Sequence, residues 1–202
     1  FKSDPKILIP NVSYCTFTKS NGVFDAGDDS RILCLKSERD THGYIRQTQI
    51  ITSTDFFKTQ ETINDSTGIL ATSYVLEINV IQSFIVATVQ TDKYGATGSS
   101  AVLYVSKDGY EFTKAVIDAA IVSDSFSFLP STKSSLHISV WGFSEDGKQV
   151  SDILSSDSEG IHFKKLLENI EGNFLGFVNL EKVETIEGVW IANVMEGYDS
   201  ST

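Results

Sequence analysis

Eight side chains in this 202-residue sequence have the chemistry of specialised sites: Cys15 and Cys34; Arg31, Arg39 and Arg46; and His42, His137 and His162. A metal centre would need histidines, cysteines or carboxylates at ligand spacing. The three histidines are isolated, so no metal site is predicted. His137 falls in an alternating run and reads as a packed or surface residue. No G-x-S-x-G elbow, P-loop or G-x-G-x-x-G fingerprint occurs, so no catalytic residue and no cofactor are predicted. The net charge is −11. A phosphate backbone needs a basic face, and nucleic acid is therefore excluded as a partner. The acidic balance fits a solvated surface or a face that captures basic ligands, and "DAGDD" (25–29) is its only dense block.

The cysteines lie in β-type runs, "VSYCTF" and "RILCLK", separated by turn formers that include Asn21-Gly22 and Ala26-Gly27-Asp28-Asp29. Two strands joined by a reversing loop can bring Cys15 and Cys34 within bonding distance. The alternative is two buried free thiols of a cytosolic protein. Two sequons, Asn11-Val12-Ser13 and Asn64-Asp65-Ser66, tilt the reading to a disulfide in an oxidising, lumenal compartment, with Asn11 and Asn64 as glycan acceptors. No apolar run approaches the ~20 residues of a membrane helix, so any membrane attachment is expected through segments outside this chain. The opening "FKSDPKILIPN" has no signal-peptide pattern and no initiator Met. The sequence reads as a segment of something longer.

The elements that position these residues are strands. "YIRQTQIITS", "SYVLEINVI", "SFIVATVQT", "SAVLYVS", "SLHISVWGF", "QVSDILSS", "FLGFVNL" and "GVWIANV" are rich in Val, Ile, Thr, Tyr and Phe, with turn residues between them. In "SLHISVWGF", Leu136, Ile138 and Val140 alternate with His137, Ser139 and Trp141, which predicts a strand with two unlike faces. "SFIVATV" is apolar on both faces, as a doubly covered strand requires. "FKKLLENI" (163–170) has enough helical character for a turn or two, but its place after a turn makes it an outer strand.

One small turn is written three times, beginning at Ser53, Ser106 and Ser156, at spacings of 53 and 50 residues. Four short strands per interval of about fifty residues is the period of a β-propeller blade. The turn resembles the Asp-box, Ser-x-Asp-x-Gly-x-Thr-Trp. Its Ser and Asp bond to turn amides, Gly supplies a positive φ, and the aromatic packs beneath. Ser106, Asp108 and Gly109 match, with Phe112 one place early. Ser53 and Asp55 match, with Phe57 where Gly would stand. In the third copy Ser156 is followed by Ser158 at the acid position, then Gly160 and Phe163. All are read as structural staples.

The runs "ILSSDSEGIHFKKLLENIEGNFLGFVNLEKVETIEGVWIANVM" (153–195) and "NVSYCTFTKSN…SRILCLKS…ITSTDFFKT" (11–59) resemble the sortilin family of lumenal sorting receptors, and the resemblance covers essentially the whole chain. It implies an all-β fold, with residues 1–202 forming about four blades of a single ten-bladed lumenal propeller domain. It also implies a non-enzymatic, single-pass membrane receptor that captures soluble cargo, such as vacuolar hydrolase precursors, in the late Golgi and releases it in endosomes. Family ligands bind inside the propeller tunnel, where an arginine before the best Asp-box grips a carboxylate. Ala101 is the counterpart here, and no arginine lies between Ser99 and Ser106. Val86 and Thr88 on "FIVATVQ" (84–90) match further ligand-contacting positions.

Two other readings share the Asp-box. Sialidases need arginines drawn from separate blades, a Tyr nucleophile with an acidic partner, and an Asp acid/base. Here all three arginines fall within sixteen residues, where Arg31 and Arg46 would flank a hairpin. A non-catalytic extracellular propeller scaffold would use the same fold and the same turns.

Overall fold

In the computed structural model the described residues are 9–19, 30–65, 68, 70, 74–91, 100–118, 121, 125–143, 147–172, 178–183, 186 and 189–194. The Asn21-Gly22 turn, "DAGDD", Ser66, Ser99 and most of "FLGFVNL" lie outside them. The described residues form strands and no helix. The chain divides into two compact units, Phe1–Ala96 with Ala101–Lys114, and Thr97–Ser100 with Ala115–Thr202.

The first unit holds two four-stranded antiparallel meanders. One is β1 (Val12–Phe17), β2 (Ile32–Arg39), β3 (Ile45–Ser53) and β4 (Glu61–Thr62). The other is β5 (Tyr74–Ile81), β6 (Phe84–Gln90), β7 (Ala101–Ser106) and β8 (Thr113–Lys114). A single parallel pairing, Thr48 with Tyr74, joins β3 to β5. The second unit holds β9 (Val116–Ile117), β10 (Phe126–Thr132), β11 (Ser135–Phe143), β12 (Gln149–Ser156) and β13 (His162–Glu171). Here β10 to β13 form a third meander, and β9 adds parallel to β13. A short antiparallel pair, β14 (Leu180–Lys182) and β15 (Trp190–Ala192), completes it. A four-stranded antiparallel meander is the unit of a propeller blade, and the described residues form an all-β arrangement of three such meanders and a two-stranded hairpin.

Why these runs form strands is visible in what they bury. β6 is buried along its whole length, with β5 and β7 on either side. In β2, Leu33 and Leu35 join a core with Ile50, Ile78, Ile85 and Tyr104. The alternate residues Ile32 and Cys34 pack with Ile51 on the other face, against Ile9, Val12 and Phe57. Successive side chains point to opposite faces, so a strand covered on both sides must be apolar at every position. Each such Leu or Ile contributes about 1.5–3 kcal/mol through burial.

β11 departs from the expected alternation. Leu136, His137, Ile138 and Ser139 are all buried. The strand is central, between β10 and β12, and the Trp190 ring covers the His137 face at a centroid distance of 5.6 Å. β13 is a strand throughout, with register shifts against β12 and Asn169 at a φ of 53°.

Candidate functional site

Each of the three repeated turns connects the third strand of a meander to its fourth: β3 to β4, β7 to β8, and β12 to β13. In the second turn the buried Ser106 hydroxyl donates to Asp108 Oδ1 (3.0 Å) and accepts from the Gly109 amide (2.8 Å). Asp108 Oδ1 also accepts the Tyr110 and Glu111 amides at 2.7 and 2.9 Å. Gly109 has a φ of 79°, and Phe112 is buried beneath. The first turn closes without glycine. Ser53 Oγ accepts the Asp55 and Phe57 amides, and Asp55 accepts both the amide and the hydroxyl of Thr59. Phe56 and Phe57 both take positive φ, 56° and 60°, a conformation that is costly for a bulky residue and needs surrounding bonds to hold it. The Thr59 amide, then the Ser53 and Thr59 hydroxyls, hold the Asp55 pKa at about 2.

In the third turn the acid is Asp157, one place before Ser158, to which the spacing points. Asp157 Oδ1 accepts the Glu159 and Ile161 amides at 3.2 and 2.9 Å, and Oδ2 meets His162 Nδ1 at 2.8 Å. Burial pushes the Asp157 carboxyl upward, but the Ile161 amide and the His162 ring and amide outweigh it and leave it below its ordinary value. Ser156 Oγ accepts the Leu136 amide of β11 at 2.8 Å and donates to the Asp157 carbonyl of its own loop at 2.9 Å. Gly160 has a φ of 76°, and Phe163 is buried.

Cys15 and Cys34 stand opposite each other in the β1–β2 register, 4.1 Å apart at Cα, and are joined by a disulfide. Asn11 is exposed just before β1, and its carbonyl accepts the Ser37 amide. Asn64 is also exposed, with its side-chain oxygen accepting the Asp65 amide.

The three arginines do not converge. Arg39 donates to the Gly43 carbonyl at 2.8 Å, and Arg46 approaches Asp40 at 3.9 Å, both at the β2–β3 turn. Arg31 lies at the other end of β2, which eight residues place roughly 27 Å away. It is 1% exposed, with its guanidinium 3.2 Å from the centroid of the Tyr110 ring and a 3.4 Å bond to the Gly109 carbonyl. Arg31 and Tyr110 form one wall of a polar cavity of about 230 Å³, whose other wall is the first turn, with Ser53, Thr59 and Glu61. Among the described residues no group of three His, Cys, Asp or Glu could hold a metal ion.

Val86 and Thr88 are 0% and 1% exposed on β6, and Ala101 is 7% exposed at the start of β7. The Thr88 hydroxyl donates to Glu77 at 3.0 Å. More protein around this chain can only reduce these exposures while the sheet keeps its form. Within this chain these three side chains are buried among their neighbours. The spacing of the motif did not indicate Asp157, Thr59 or the Arg31–Tyr110 stack.

The family model Sortilin-Vps10 (sortilin, neurotensin receptor 3) matches residues 1–202. A Debaryomyces hansenii protein named "Vacuolar protein sorting/targeting protein 10" is 37% identical over 97% of this chain. Proteins of the same name from Candida dubliniensis and Komagataella phaffii are 32% and 30% identical, over 100% and 96% of it. The chain spans 12% to 13% of the length of these relatives. With Asp-box turns closing the third-to-fourth strand connection of each four-stranded blade, and with a match from end to end, the chain belongs to the Sortilin-Vps10 family.

Proposed function

We propose that residues 1–202 are part of one lumenal propeller domain of a sorting receptor. The receptor captures soluble vacuolar hydrolase precursors in the late Golgi and releases them in endosomes. The observation that carries this reading is the family match across the whole chain, together with relatives named for vacuolar sorting and targeting. The role is binding rather than catalysis. The carboxylates that the fold organises, Asp55, Asp108 and Asp157, are spent on their own turns, and the arginines point to different parts of their unit. With Val86, Thr88 and Ala101 buried within this chain, cargo contact falls to exposed surface, and the net charge of −11 favours basic segments of cargo. On acidification histidines gain charge and carboxylates with raised pKa lose it, and both changes weaken a field that holds a basic partner.

The test is a titration of the full-length lumenal region with a vacuolar hydrolase precursor, at neutral pH and near pH 5. Binding at neutral pH that weakens in acid is expected. Equal or tighter binding in acid would overturn the release step, and no binding at either pH would overturn the receptor reading.

A further inference from the structure

We propose that the β14–β15 hairpin is an acid-released flap, hinged on the end of β13 and latched by Trp190 lying against His137. The hinge is made of backbone bonds. The Glu171 amide donates to the Asn193 carbonyl at 3.0 Å, the Asn179 amide to the Glu171 carbonyl at 2.9 Å, and the Asn193 amide to the Asn179 carbonyl at 3.1 Å. The latch lies at the Trp190 end of the hairpin. There Trp190 and Leu180 close over His137 of β11, Ile153 of β12, and Leu166 and Leu167 of β13, around a small apolar cavity. Among the described residues His137 is the only titratable group lining that cavity. Its ring is buried, and its Nδ1 has no hydrogen-bond partner.

The charges around the latch decide its sign. On β14, Lys182 shares the Leu180 face and acts on His137, while Glu181 alternates to the other face. On β13 and β12, Lys165 is paired with both Asp152 and Glu168. Asp157, just beyond β12, is paired with His162. The described residues of β10 and β15 carry no titratable side chain. Lys164 of β13 stands across Ser155 from His137 as a second cation, and Glu171 lies at the far end of β13, where it accepts from Asn179. Among the described residues no carboxylate is therefore left to welcome a proton on His137. Burial, and then the Lys182 charge, hold its pKa below the ordinary value, against a hydrogen bond with the Pro130 backbone that works the other way.

When the flap lifts, the imidazole reaches water and regains an ordinary pKa near ~6.5. Below that pH the open form binds a proton that the closed form refuses. Each further pH unit then raises the opening constant about tenfold, until the closed-state pKa is reached. The flap is shut at neutral pH and opens progressively in acid. The device is defined by this hairpin and its sheet alone, and it stands whether or not cargo touches it.

The test places a thiol beneath the flap with Ile153→Cys in the full-length protein, at a position only 1% exposed. Its labelling by a dithiodipyridine reagent is compared with a free thiol at each pH. The relative rate should rise between pH 6.5 and 5.5, by up to about fivefold. His137→Phe keeps a ring against Trp190 but cannot titrate, and the rise should vanish. Lys182→Met lets the closed form accept its proton at higher pH, and the rise should shrink. It serves as the independent arm if His137→Phe does not fold. A labelling rate that ignores pH, a rise that survives His137→Phe, or one unchanged by Lys182→Met would overturn the proposal.

Discussion

Replacing Gly109 by Ala should be the most damaging single-methyl change among the repeated turns, for two separable reasons. Gly109 sits at a φ of 79°, where an L side chain costs about 1–2 kcal/mol. Reduced freedom of the unfolded chain returns about 0.4–1 kcal/mol of that. The second reason is crowding. A Cβ here would lie 3.3 Å from the Ile85 Cδ1 and 3.8 Å from both the Arg31 Cδ and the Thr18 Cγ2. All three neighbours are buried, so they yield only by moving the core, and overpacking of this kind adds about 1–3 kcal/mol. Gly43 is the matched control: its φ is 86° and nothing lies within 4 Å of its Cβ position. Gly43→Ala should therefore carry the backbone cost alone. Native-state hydrogen exchange of amides beside each turn reads the two costs locally. A difference of about 1–2 kcal/mol corresponds to roughly five- to thirtyfold greater loss of protection around β7 and β8 than around the Gly43 turn. Losses equal within a factor of two would refute the claim that the second turn is packed down onto Arg31 and Ile85.

Three further outcomes are expected. Thiol labelling of unfolded, unreduced protein should find neither Cys15 nor Cys34 free, and Cys34→Ala with Cys15→Ala should lower stability by about 3 kcal/mol through the loop the bond closes. The Asp55 pKa is depressed from 3.8 to about 2, so its contribution is complete above 3.8 and is lost as pH falls through about 2. The carboxyl carbon shift of Asp55 in an NMR titration should stay at its ionised value down to pH 3, and a midpoint near 4 would contradict the bonding described. A double-mutant cycle of Arg31→Met and Tyr110→Ala should give a coupling of about 1–2 kcal/mol by denaturant unfolding, and additivity would show that the stack contributes nothing.

How much of this could be read from sequence depended on the range of the interaction. The strands were legible because their signal is local: "SFIVATV" is apolar at alternating and intervening positions, and β6 is buried along its length. The period of the turns was legible because each turn is closed by residues within a few positions of each other. Counting from Ser156, however, put Ser158 in the acid's place, while Asp157 accepts the amides. A motif fixes residue order, but the acceptor is chosen by which side chain reaches the free N–H groups. Long-range partners carried no signal at all. Arg31 and Gly109 are 78 residues apart in sequence, and no periodicity connects them. His137 looked polar-facing within its own strand, and only Trp190, far along the chain, makes that face an interior one. Val86 and Thr88 were placed at ligand-contacting positions by resemblance alone, and the packing that buries both faces of β6 has no local signature.

The disulfide has a consequence for the behaviour of the molecule among its own copies. Among the described residues β1 is the terminal strand of its sheet, pairing with β2 alone, and Tyr14 and Phe17 are 48% and 45% exposed on it. A strand of this kind is a template: its unpaired edge can accept another chain, and its aromatic side chains would reward the exchange. Three features in and beside this strand oppose that. The register shift between Val12 and Tyr14 bends the ladder, an exposed sequon asparagine stands at the strand's entrance, and the covalent bond from Cys15 prevents the strand from peeling away to swap partners. Reduction would remove the last of these while leaving the buried core of the sheet intact. The first casualty of a reducing environment would then be solitary behaviour, with chains adding edge to edge before any blade unfolds.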